Sequence, residues 1–354
     1  MNISIFSKFD MAGGSEFRCI ELANGIGKFT EHKSFLLSEK RLPPVLHERI
    51  DPNVTVVENC FLSPNHFYES DCIIVVNTDT PCFSTLDYWT GKSPRHSFSL
   101  DMSRFKNKKM FFLYNFIVSP SKNLYQLKEL GIDVYILTTN TKFFEEISKQ
   151  DRYENIRALP RYTLESPIDQ TKLNISVRCP KDKVCFGMHS KSLGNKWNDE
   201  LRKLILDVNK RYTKEQVEFR FMGIKGNLRS QIEKIENVTC LKENEESVQD
   251  FVSKLDIFLF FPDWKREEPW ARVIAEAMVS GCPVIALDKG GTSDQVLKYN
   301  NGFLCKDYGD YYNYIVYMLE HKDIIEVMSK NSIRISKNFY TESVIKKLMG
   351  FINN

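Results

Sequence analysis

The chain has 354 residues, more than one ordinary core accommodates, so two domains of roughly 150 to 200 residues each are expected. With 42% hydrophobic and 27% charged residues it has an ordinary globular composition, and a formal charge of +3 is too small to imply nucleic-acid binding. Nine cysteines are scattered without a C-x-x-C pair, and the closest two, Cys179 and Cys185, have no histidines at zinc-site spacing, so free thiols in a reducing cytoplasm are expected. No stretch reaches the roughly 18 to 20 apolar residues that span a bilayer, which leaves peripheral membrane contact at most.

The opening segment 2–9 reads as a short apolar strand, followed by the flexible turn Met11-Ala12-Gly13-Gly14-Ser15. From Ser15 to Lys28 the residues Phe17, Ile20, Leu22, Ala23 and Ile26 recur at helical spacing. Segments 34–38, 54–57 and 72–76 read as further buried strands, and 110–118 as a central one, while 77–109 is irregular. Ser119-Pro120-Ser121 supplies a capping hydroxyl and a first-turn proline for a helix reaching Leu130. Periodicity fades between about 151 and 180, where Pro160, Pro167 and Pro180 mark a linker. A second alternation follows: strands at 183–187, 217–222, 237–240, 256–261 and 283–287, with helices at 197–211, 227–236, 246–254, 270–280 and from Ser293. Strands alternating with helices imply parallel sheets covered on both faces. The expected domains are 1–160 and 161–336, with a final helix over 337–354 returning to the first domain.

The stretch from Asp256 to Val296 carries the chemistry. A buried strand ends at Phe261, and a loop with Glu267 and Glu268 leads through Pro269 into a helix holding Glu276. Amides near Trp270, Ala271, Arg272 and Val273, at the positive end of that helix, are expected to be available to an anion. A strand restarting at Pro283 ends in Gly290-Gly291 before another helix, which suggests a second group of loop amides. Two such groups and two carboxylates suit a ligand with a diphosphate and hydroxyl-rich sugars.

Glu268, the seven residues PWARVIA, Glu276 and the run EAMVSGCPVIALDKGG (276–291) resemble the signature of the retaining glycosyltransferases of family four, which have the GT-B fold. That fold has two Rossmann-like, doubly wound α/β domains facing each other across a cleft. The resemblance implies that Glu268 meets donor-sugar hydroxyls and offsets the developing positive charge, while Glu276 meets the ribose. Gly13 and Gly14 resemble the loop that closes over the diphosphate. Lys191 stands where the family has a catalytic arginine, and Lys196 where it has a lysine. Trp270 and Ala271 replace the usual phenylalanine and glycine, a change expected to reshape the sugar pocket. The acceptor-side histidine has no counterpart, since neither Asn77-Thr78-Asp79 nor His96 matches its position.

Blander readings accompany several of these residues. Glu267 reads as a solvated neighbour, His189 as loop filling and Arg272 as a partner of either glutamate. The basic and aromatic run 104–112 suits an anionic lipid surface, though a solvated turn entering a strand is simpler. The resemblance implies a retaining transfer from a nucleoside diphosphate sugar, UDP by family frequency, to a glycan or lipid-linked hydroxyl. It implies no metal or other cofactor, and a cytoplasmic location that includes the inner membrane face. The rivals are a catalytically silent nucleotide-sugar-binding subunit and a sugar-nucleotide epimerase of the same fold.

Overall fold

A computed structural model describes residues 1–9, 14–77, 100–115, 124–149, 159–179 and 181–354. In chain order the elements are β1 (Asn2–Ser7), α1 (Gly14–Phe29), β2 (Lys33–Ser38), α2 (Pro44–His47), β3 (Val54–Val57), α3 (Asn65–Tyr68), β4 (Cys72–Val76), β5 (Lys109–Tyr114), α4 (Leu124–Glu129), β6 (Asp133–Thr138), α5 (Thr141–Lys149) and β7 (Arg161–Thr163). They continue as β8 (Val184–His189), α6 (Leu201–Asn209), β9 (Val217–Met222), α7 (Gly226–Ile232), β10 (Val238–Leu241), α8 (Val248–Ser253), β11 (Ile257–Phe260), α9 (Arg272–Val279), β12 (Val284–Leu287), α10 (Thr292–Gln295), β13 (Gly302–Cys305), α11 (Tyr308–Glu320), α12 (Asp323–Ser336) and α13 (Thr341–Asn353).

The chain divides into two units: Met1–Pro167 with Thr341–Asn354, and Ile168–Tyr340. In the first, the described strands form a parallel sheet in the order β3-β2-β1-β4-β5-β6-β7. The near-continuous apolar runs of its strands arise because both faces are covered. In β4, Cys72, Ile74 and Val76 pack on the face that holds α1 and α13, while Ile73 and Val75 pack on the other with Phe67, Leu124 and Leu127. Helix α13 lies so close to α1 that a Cβ on Gly25 would stand 2.6 Å from Ile345 and Thr341 side-chain carbons, which only glycine allows. Lys347 Nζ further donates to both carboxylate oxygens of Glu165 at 2.9 Å.

The boundary expected at 160 lies instead at 167. Arg161, Tyr162 and Thr163 pair with Ile136, Leu137 and Thr138, extending the first sheet by one edge strand. A strand that short, inside an aperiodic proline-bearing stretch, has no period to betray it. At the other end, Phe339 and Tyr340 stay with the second unit, where the Ile168 N–H donates to the Phe339 carbonyl at 2.7 Å.

The second unit is a parallel sheet in the order β10-β9-β8-β11-β12-β13 among the described residues. Its first strand, β8, is central: β9 and β10 build out one side, β11 to β13 the other. The chain therefore reverses its direction of build between β8 and β11, and the loops leaving these strands diverge. Such a switch point opens a crevice at the carboxyl ends of the strands. Among the described residues no helix is long and apolar enough to cross a membrane.

Candidate functional site

The loops that leave β8, β11 and β12 bring the second-unit candidates together. Lys196 closes a short turn, Gly194–Lys196, between β8 and α6, and its Nζ donates to Glu268 Oε2 at 2.7 Å. Arg266, two residues before Glu268, donates to the same oxygen through Nε at 2.7 Å and lies 2.6 Å away through Nη2. One carboxylate oxygen thus answers two cations. All three side chains are largely withdrawn from solvent, at 19% exposure for Lys196, 16% for Arg266 and 14% for Glu268, so the group is screened far less than a surface pair. Burial lowers the Lys196 amine below its ordinary value; Glu268 opposes this, and the charges of Arg266 and Lys191 lower it further. Lys191 is therefore close enough to feel Lys196, and its own carbonyl accepts from Trp197 Nε1 at 3.3 Å.

The backbone fixes where Glu268 sits. The Gly291 N–H donates to the Glu268 carbonyl at 2.9 Å, and Gly290 pairs with Glu268 as an isolated parallel bridge. Gly290 has φ of +66°, and a Cβ there would fall 2.3 Å from the Glu268 carbonyl oxygen. The loop after β12 is thus clamped to the loop after β11, and glycine is required twice over, for its dihedral and for the approach. The same clamp changes the expectation for these glycines: the Gly291 amide is committed to Glu268 and is not a vacant anion donor.

The start of α9 is similarly committed in part. Ala271 is its N-cap and has no side-chain oxygen to offer the first-turn amides; its own peptide groups are taken by Gln295, with Ala271 N–H donating to Gln295 Oε1 and Gln295 Nε2 donating to the Ala271 carbonyl, each at 3.0 Å. The expectation of available amides from Trp270 to Val273 therefore fails at Ala271. The Val273 amide has no hydrogen bond to another described residue and remains a candidate donor at the positive helix end. The Trp270 ring is buried edge-on against Phe339, with centroids 5.4 Å apart.

Inside α9, Arg272 Nε donates to Glu276 Oε1 at 2.8 Å, one turn apart. The other oxygen, Oε2, lies 3.5 Å from Nε2 of His189, the last residue of β8. His189 is buried, and burial lowers its imidazole below the ordinary value, against the pull of Glu276. It is not the loop filler expected from sequence. Arg266, His189 and Gln295 were all missed there: Arg266 looks like one more charge in a Lys-Arg-Glu-Glu run, and the other two act across long sequence separations.

In the first unit, Gly14 opens α1 just beyond β1 and is exposed. Gly13 lies outside the described residues, as do Thr78, Asp79 and His96; Asn77, at the end of β4, accepts from the Asn115 N–H at 2.7 Å. Among the described residues no group of three or more His, Cys, Asp or Glu side chains is placed to hold a metal ion.

The family model for glycosyl transferases group 1 matches residues 192–334, a span that contains Lys196, both glutamates and the glycine clamp. Residues 192–334 belong to the glycosyl transferases group 1 family. This group 1 region is embedded in a GT-B α/β fold, two parallel sheets flanked by helices. The chain is similar to HepE from Anabaena, solved with UDP and glucose, with a TM-score of 0.66, 17% identity and 100% of each chain covered. It is also similar to a glycosyltransferase from Rickettsia africae, with a TM-score of 0.75, 12% identity, and 99% and 97% of the two chains covered. In sequence, 88 residues are 33% identical to the trehalose synthases of Thermococcus litoralis and Pyrococcus furiosus. That stretch is 25% of this chain and spans 21% of the length of those relatives.

Proposed function

We propose that the protein is a retaining glycosyltransferase that moves a sugar from a nucleoside diphosphate sugar, with UDP as the nucleotide, to a hydroxyl of a glycan or lipid-linked acceptor. The observation that carries this reading is the pairing of Lys196 and Arg266 on a single oxygen of Glu268, at the switch point of a parallel sheet. Two positive charges against one negative leave a surplus suited to a diphosphate. Arg266 also supplies the planar fork that Lys191, in the arginine's place, lacks.

On this reading the diphosphate takes over Lys196 and Arg266, and Glu268 is released toward the donor-sugar hydroxyls. The bond between the anomeric carbon and the diphosphate oxygen breaks, and its electron pair leaves with the diphosphate. Lys196, Arg266 and the Val273 amide stabilise that growing charge, a contribution worth most where water is scarce. Glu268 offsets the positive charge left on the sugar. The acceptor oxygen attacks the same face, its proton passing to the departing diphosphate, so the anomeric configuration is kept. Glu276 meets the ribose. Side-chain cations do here what a divalent metal does elsewhere, so activity is expected to survive chelation.

The test is donor turnover across UDP-sugars with and without acceptor mixtures, and the anomeric configuration of the product by NMR. Release of UDP with a retained anomer supports the reading. Tight UDP binding without turnover on any donor favours the silent subunit, and an inverted product overturns the retaining assignment.

A further inference from the structure

His189, the last residue of β8, takes no part in the chemistry above. Its Nε2 is buried without a hydrogen bond, 3.5 Å from Glu276 Oε2. The ring cannot turn out to water: Phe251 and Phe258 clasp it edge-on, with centroids 5.8 Å and 5.7 Å away. A buried polar atom left unsatisfied in this way is costly, and such atoms call for an explanation. The neighbouring carboxylate supplies one. Arg272 holds only Oε1 of Glu276, at 2.8 Å, and the last torsion of a glutamate is soft, so one anchor leaves the carboxylate free to rotate. A second anchor on Oε2 would fix its plane.

We propose that His189 is a positioning residue whose Nε2–H donates to Glu276 Oε2 when a ribose diol occupies the site, holding the carboxylate so that both ribose hydroxyls are met. The inference rests on the reading that Glu276 is the ribose contact, and deepens it. His189 itself touches neither donor nor acceptor. A small inward shift of Glu276 closes the 3.5 Å separation. Arg272 and His189 then hold one oxygen each and leave the outward lone pairs to the sugar.

The test is calorimetric titration of UDP and of 2′,3′-dideoxy-UDP into the wild-type protein and three variants, with melting temperatures recorded in parallel. His189→Phe keeps the ring and removes the donor; His189→Asn keeps polarity but cannot reach; His189→Gln returns an N–H near the Nε2 position. Phe and Asn are expected to weaken UDP about tenfold, the worth of one hydrogen bond to a charged acceptor, while Gln stays within about threefold of wild type. For the dideoxy nucleotide all four proteins should agree within about threefold, because the hydroxyls that Glu276 meets are gone. Unchanged UDP affinity in both Phe and Asn, or equal losses for the two nucleotides, overturns the proposal and leaves the ring a packing role. A wild-type protein that binds none of UDP, GDP and ADP overturns the donor-site reading itself, and this inference with it. If Phe does not fold, the Asn and Gln pair decides.

Discussion

Replacing Gly290 by alanine attacks the clamp that holds Glu268 in place. The added methyl would stand 2.3 Å from the Glu268 carbonyl oxygen, 2.9 Å from its carbon and 3.0 Å from its nitrogen, all backbone atoms that cannot step aside alone. An ordinary carbon–oxygen contact is about 3.3 Å or more, so the loops after β11 and β12 must part by about 1 Å. That separation breaks the Gly291 N–H bond to Glu268, worth about 1 kcal/mol. Alanine at a φ of +66° adds a further cost of about 1 kcal/mol or slightly more. The sum, about 2 to 3 kcal/mol, corresponds to a fall in melting temperature of about 4 to 12 °C for a unit of this size. The functional loss should be larger than the stability loss suggests. A 1 Å displacement of Glu268 opens its 2.7 Å contact with Lys196, and misplacement on that scale costs about a hundredfold in rate. Differential scanning calorimetry and UDP release from the best donor measure the two effects. A Gly290→Ala protein with unchanged melting temperature and unchanged turnover would refute the claim that this clamp positions the carboxylate.

The other predictions separate the roles of the charged groups. Glu268→Ala should lower the turnover number about 100- to 1000-fold while UDP affinity changes little, on the proposal that this carboxylate acts on the sugar. Glu276→Ala should do the reverse, weakening UDP about tenfold with turnover at saturation largely kept, as titration and steady-state kinetics would report. Lys196→Met should reduce turnover about 100-fold, and if it does not, the diphosphate is held elsewhere. Acid should destabilise the wild-type protein through His189. Its folded-state pKa is depressed by burial, so protonation favours the unfolded chain; the contribution of neutral His189 is complete above the ordinary value of 6.5 and shrinks as pH falls from there toward the depressed native value. Melting temperature should therefore drop more between pH 7.5 and 5.5 in the wild type than in His189→Phe, and equal drops would show that the imidazole is not buried neutral.

Much of this architecture was legible because its signals are local. The runs at 54–57, 72–76 and 217–222 are strands with the expected bounds: 72–76 is apolar throughout because both its faces are covered, while 217–222 alternates with Glu218 and Arg220. The spacing from Glu268 to Glu276 could be read because it resembles the family signature, whereas the clamp that fixes Glu268 comes from the loop after β12. What stayed hidden depends on distance in the chain. Gln295 holds both peptide groups of Ala271, at the start of α9, from 24 residues away. His189 and Glu276 meet because the carboxyl end of β8 lies beside the first turns of α9. Helices α11 and α12 escaped notice for a local reason: tyrosines at 308, 311, 312, 314 and 317 line several sides of α11 and blur its apolar stripe.

The central claim is that the second unit grips a nucleoside diphosphate sugar between the β8, β11 and β12 loops. A crystal structure of the protein soaked with UDP tests it most directly. The account predicts phosphate oxygens within hydrogen-bond reach of Lys196 and Arg266, the Val273 amide pointing at the diphosphate, and both ribose hydroxyls on Glu276. UDP bound with its phosphates away from Lys196 and Arg266, or with Glu276 still facing only Arg272 and His189, would contradict it.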